Sequence, residues 1–136
     1  MEREITVAKI KRDFKTIRDL PVTIETLTKT KERYEATILS EQSKGTSDSE
    51  KIQGLKNLIQ SLGIPDLKKY LRELEERYVN VIVQLEPFEI TMVMEVFYNR
   101  RTYKDIGYYM NYSERGVQAI MAKIFKKMIA ILRKEH

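Results

Sequence analysis

The chain has no cysteine and no tryptophan, and its one histidine is the last residue, His136. Without cysteine there is no disulfide framework and no thiolate metal site. A lone terminal histidine suits a frayed end rather than a ligand. Glycine and proline are scarce, five and three in 136 residues, and alternating strand patterns are nearly absent. No apolar run is long enough to span a bilayer. The opening "MEREITVAKIKRDF" lacks the apolar stretch of a signal peptide, so a soluble cytoplasmic protein is expected. There is no nucleophile–base pair, phosphate loop or metal cluster in the pattern. An enzyme is therefore not expected, nor a cofactor.

The charge that is present is unevenly placed. The net value is +5. From Asn99 to His136 there are nine Lys/Arg against three Asp/Glu, while the preceding 98 residues carry 16 against 17. A basic end of this kind is the electrostatic footprint of nucleic-acid binding, although a solvated basic tail has the same composition.

Apolar residues recur at helical spacing, which predicts an all-α chain. Ile10, Phe14 and Ile17 mark a first helix, which Pro21 is expected to interrupt. Ile24, Leu27, Tyr34 and Ile38 mark a second. The polar "SEQSKGTSDSEK", Ser40 to Lys51, reads as a mobile linker. Ile52, Leu55, Ile59 and Leu62 follow on one face. Gly63 suits the cap of that helix, and Pro65 and Asp66 the first turn of the next. Leu67, Leu71, Leu74, Tyr78, Val81 and Leu85 then step by 4, 3, 4, 3, 4 in a short heptad seam. Either the N-terminal helices or a second copy of the chain would cover it. Residues 1–85 thus form a helical, coiled-coil-like region for oligomerisation or partner binding. Residues 86–136 form a three-helix C-terminal unit that opens at Pro87, with Glu86 and Glu89 at the positive helix end.

Within that unit, "TYKDIGYYMNYSERGVQAIMAK" reads as two helices across a tight turn. Gly107 is small where the helices would touch. Asn111 tolerates the left-handed conformation of the turn, and Ser113 suits the N-cap of the second helix. Ile106 and Met110 face Val117, Ile120 and Ile124. Glu114, Arg115, Gln118, Ala119, Ala122 and Lys123 then lie outward. In a helix-turn-helix this second helix enters the major groove. Arg115 and Gln118 have the paired donors that suit guanine and adenine, Glu114 can accept from cytosine, and Ala119 offers methyl contact. Lys123, Lys126 and Lys127 are placed for phosphate, and Arg100, Arg101 and Thr102 precede the first helix where backbone contacts fall. Tyr103, Tyr108, Tyr109 and Tyr112 crowd the motif. Some belong to the core, and Tyr103 is assigned to the DNA side.

Leu85 to Met128 resembles region 4 of sigma-70-type factors. The resemblance rests on Thr102, Ile106, Gly107, Ser113, Val117, Ile120, Ala122, Lys123, Phe125, Lys127 and Met128, all at the family's spacing. It implies a region 4-like helix-turn-helix. Glu114-Arg115 stands where the family usually has Arg-Glu, and Ala119 where it has Gln, so the target sequence does not carry over. The layout of the whole chain is similar to small phage late-gene activators of the RinA and ArpU type. That similarity implies a phage transcriptional regulator acting in the host bacterial cytoplasm. Its expected partners are double-stranded DNA and, for the N-terminal helices, RNA polymerase or a second copy in a homodimer. Two other readings are a helical interaction module that engages polymerase or another regulator without touching DNA, and a small terminase subunit.

Overall fold

The computed structural model of the protein describes residues 4–45 and 49–135. Among them all regular structure is helical. The order is α1 (Val7–Ser43), α2 (Ser49–Ser61), α3 (Ile64–Ile82), α4 (Pro87–Val93) with a π-helical continuation (Met94–Tyr98), α5 (Tyr103–Met110) and α6 (Glu114–Lys134). No helix among the described residues is long and apolar enough to cross a membrane.

Three sequence expectations need correction. Pro21 does not interrupt the first helix but lies inside α1, which is 37 residues long. Proline removes one backbone hydrogen bond and crowds the carbonyl four residues back. Here the bonds on either side persist, and Ile24 and Ile38 beyond it are buried. The segment taken as a linker is also shorter than expected. Ser40–Ser43 completes α1 and Ser49–Lys51 begins α2. The centre of that segment, residues 46–48, and His136 lie outside the described residues. Finally, the opening helix of the C-terminal region is not α-helical throughout. Its last turn widens, so that the Asn99 amide donates to the Met94 carbonyl at 2.9 Å. In an α-helix Phe97 would lie about 140° around from Met92. The wider turn brings it closer to the side of Met92, and Met92, Val93 and Phe97 are all buried.

The chain divides into two compact units that differ from a division at residue 85. One draws on Met1–Arg18 and Leu74–His136, and the other is Asp19–Glu73. In the first unit, Ile10 and Phe14 of α1 share a core with Leu74, Tyr78, Val81 and Leu85. The C-terminal half of the heptad seam is thus covered by the chain's own first helix. Met92, Val93 and Phe97 join from α4 and its π turn, Ile106 from α5, and Val117, Met121, Ile124, Phe125, Met128 and Leu132 from α6. Phe14 stacks on Phe97 with centroids 4.4 Å apart and rings 13° from parallel, and tilts against Tyr78 at 4.8 Å. The one buried carboxylate in this core, Asp13, accepts from the Tyr78 hydroxyl at 2.5 Å, with Lys9 Nζ 3.6 Å away. In the second unit Ile24, Ile38, Ile52 and Ile64 are the buried residues. Lys51 Nζ meets Glu41 Oε1 there at 3.0 Å.

Candidate nucleic-acid interface

The turn between α5 and α6 is built as its residues dictate. Thr102 caps α5, accepting from the Asp105 amide at 3.1 Å. Asn111 ends α5 in the left-handed conformation, with φ 62°, where asparagine costs less than most side chains. The Tyr112 amide donates back to the Gly107 carbonyl at 2.8 Å. Ser113 then caps α6, accepting from the Gly116 amide at 2.9 Å. Gly107 is buried against this turn. A Cβ there would lie 2.5 Å from the Tyr112 carbonyl oxygen and 3.3 Å from the Ser113 carbonyl carbon. The small residue is therefore required by close backbone approach.

With α6 fixed at its start, its faces follow. Val117, Met121, Ile124, Phe125, Met128 and Leu132 are inward, and Ile120 is half-buried at the margin. Glu114, Arg115, Gln118, Ala119, Ala122, Lys123 and Lys126 are all exposed. The structure thus brings the expected outward residues together on one face. Met121 was not among the expected inward residues, although it lies four positions from Val117 and from Phe125.

The remaining candidates have other engagements. Lys127 Nζ donates to Glu89 Oε1 at 2.7 Å, and that same oxygen accepts from the Glu86 amide at 2.8 Å. Lys127 thus ties the middle of α6 to the start of α4. Arg101 Nε lies 2.7 Å from Glu95 Oε2, an ion pair without the alignment of a good hydrogen bond. Its guanidinium also sits 4.5 Å from the Tyr109 ring centroid. A cation already neutralised by a carboxylate releases few counterions on meeting phosphate. Arg101 and Lys127 are thus ion-paired within the chain, whereas Lys123 and Lys126 are exposed on α6. Arg100 is exposed, with φ 54° in the left-handed region. Tyr103, expected toward DNA, is half-buried against the core, and burial raises its phenol pKa. Tyr108, by contrast, is 91 % exposed. Lys104, exposed in the first turn of α5, was missed by the sequence reading. Its charge two residues after the Thr102 cap was the available signal.

The Lys127–Glu89 bond has a pH signature. The hydrogen bond from Lys127, then that from the Glu86 backbone, hold the Glu89 carboxyl below its ordinary value of 4.5. A lowered folded-state pKa contributes stability above the ordinary value, and that stability is lost as pH falls through the folded value. Glu89→Gln should cost about 0.5–1 kcal/mol at pH 7, the scale of a partly exposed pair. The deficit should shrink toward zero well below pH 4.5. Urea melts of parent and variant at both pH values test this, and a deficit independent of pH would remove the ion pair as its cause.

No group of three or more His, Asp or Glu among the described residues is arranged to hold a metal ion. No protein-family model, no curated protein and no solved structure matches the chain.

Proposed function

We propose that the protein is a transcription regulator that binds duplex DNA through α5 and α6, used as a helix-turn-helix with α6 as the recognition helix. The observation that carries this reading is the exposed face of α6. Arg115 and Gln118 stand near its N-terminal end, and Lys123 and Lys126 follow on the same exposed side. A capped turn and a glycine that admits close backbone approach fix where that face points. The order, with base-pairing donors first and phosphate-pairing cations after, suits a helix that enters the major groove by its N-terminal end. The resemblance to sigma region 4 and to phage late-gene activators supports a promoter as the target and activation as the outcome.

Selection of bound duplexes from a random pool would supply the cognate site. Arg115→Ala and Gln118→Ala should each weaken that site by about 1–3 kcal/mol while leaving random DNA nearly unaffected. Lys126→Ala should weaken both alike and lower the salt slope by about one. All three positions are exposed, so melting temperatures should stay close to the parent's. Equal affinity of the Arg115 and Gln118 variants for the selected site would move the interaction-module reading ahead. A ring-shaped oligomer in solution would favour a terminase subunit.

A further inference from the structure

The first turns of α1 carry a cluster of charge that the proposed DNA reading has not used. Residues 7–18 hold five Lys/Arg and one acidic residue. That acid, Asp13, is turned into the core onto Tyr78. Lys11, Lys15 and Arg18 are spaced four and three apart, so they share one face of the helix. Lys11 and Lys15 are exposed.

Two contacts locate that face. Lys11 Nζ lies 5.8 Å from the centroid of the Phe125 ring on α6. Arg18 Nη1 donates to the Phe97 carbonyl at 3.4 Å. Lys11 therefore lies at the flank of α6 that holds Phe125, and Arg18 at the π turn, whose Phe97 ring packs on Phe125. At about 100° per residue, the side chains met next around that flank are Gln118, Ile129, Ala122, Arg115 with Arg133, and Lys126. The opposite flank holds Lys127, which is tied to α4. So the α1 stripe borders the same side of α6 that presents the candidate reading residues.

The charge ledger of the folded units points the same way. The unit that contains α6 has sixteen basic and eleven acidic side chains, whereas Asp19–Glu73 has nine of each. The whole net charge of the chain belongs to the one unit in which α1 begins and α6 ends. Two basic segments about a hundred residues apart in sequence are brought together there. A helix lying in the major groove has a phosphate strand along each side. An element that borders it with exposed lysines is placed to meet one of those strands.

We infer that the start of α1 is a second DNA-contacting element, in which Lys11 and Lys15 hold the phosphate backbone alongside the α6 groove. This rests on the reading of α6 as the recognition helix, and the test separates the two. Binding of the full-length chain to a random duplex pool is followed by fluorescence anisotropy from low to physiological salt. The double variant Lys11→Ala/Lys15→Ala should reduce the slope of log affinity against log salt by about 1.8, since each lost phosphate contact removes about 0.9. Lys68→Ala/Lys69→Ala, exposed in the neutral unit, should leave the slope unchanged. As the chain has no cysteine, Lys11→Cys also gives a single site for a tethered iron chelate. On the selected cognate duplex that reagent should cleave the backbone beside the α6 footprint, and cleavage scattered along the duplex would overturn the α1 contact. An unchanged slope in the Lys11/Lys15 variant overturns the α1 contact and leaves the α6 reading intact. An equal loss in the Lys68/Lys69 variant overturns it too, because the charge effect would then be diffuse. Absence of salt-dependent binding in the parent overturns both.

Discussion

Phe14→Ala should destabilise the unit built on α6 by about 3–5 kcal/mol, the cost of emptying a large aromatic from a closed core. Phe14 is only 2 % exposed. It stacks on Phe97, tilts on Tyr78 and meets the edge of Tyr98 at 6.3 Å. Each aromatic contact adds to the simple transfer of its area from water. None of these partners is local, so the loss cannot be recovered by adjustment within α1. Amide exchange distinguishes this from a general effect. Protection should fall in α3 beyond Leu74 and in α6, while α2, in the other unit, keeps its own. Phe14→Leu should cost less, since it refills part of the volume. A loss below about 1 kcal/mol for the alanine variant would show that the start of α1 is not integral to this core.

Gly107→Ala should cost about 3 kcal/mol, at the upper end of overpacking effects. The added methyl would sit 2.5 Å from a backbone oxygen, not from the end of a flexible side chain. To relieve it, α5 and the turn at Tyr112 and Ser113 must move apart. That motion also disturbs the Ser113 cap and the direction in which α6 leaves the turn. If α6 is the proposed recognition helix, DNA affinity should therefore fall even at temperatures where the variant is fully folded. Gly54→Ala is the matched comparison. Gly54 lies within α2 with nothing within 4 Å of the added methyl. There the same substitution should stabilise, by about 0.5–1 kcal/mol. Two Gly→Ala changes of opposite sign, read by thermal melting, would tie the effect to the close approach and not to glycine as such. If Gly107→Ala melts with the parent, the turn is looser than its geometry.

These two positions mark what a sequence reading reaches and where it stops. Gly107, Asn111 and Ser113 were legible because their chemistry is local: a small residue, a tolerant one and a cap must fall at fixed offsets in a tight turn. The seam from Leu74 to Leu85 was legible because burial imposes its own period. Its covering partner was not, since a heptad records that a face is buried and not what buries it. Pro21 was misread because a proline rule prices one lost backbone bond, whereas α1 is held by side-chain burial on both sides of it. The π turn escaped because Val93 and Phe97, four apart, fit an ordinary α-helical face and leave no sign of the widened turn. The ion pairs of Arg101 and Lys127 escaped for a further reason. A basic residue next to a motif looks the same whether it faces phosphate or closes onto Glu95 or Glu89. Only the packing of α4 against α6 decides that.

The division of the core has a consequence for the order in which the chain can acquire structure as it leaves the ribosome. Asp19–Glu73 is continuous, and its helices pack among near neighbours in sequence. It can close while synthesis is still under way, as local contacts form early. Ile10 and Phe14 emerge before it, yet their aromatic and aliphatic partners begin only at Leu74 and extend to Leu132. The start of α1 must therefore wait for α6, which is made about a hundred residues later. Until α6 has been made, the apolar stripe of Ile10 and Phe14 stays open to chaperones, and the α6 unit closes later than Asp19–Glu73.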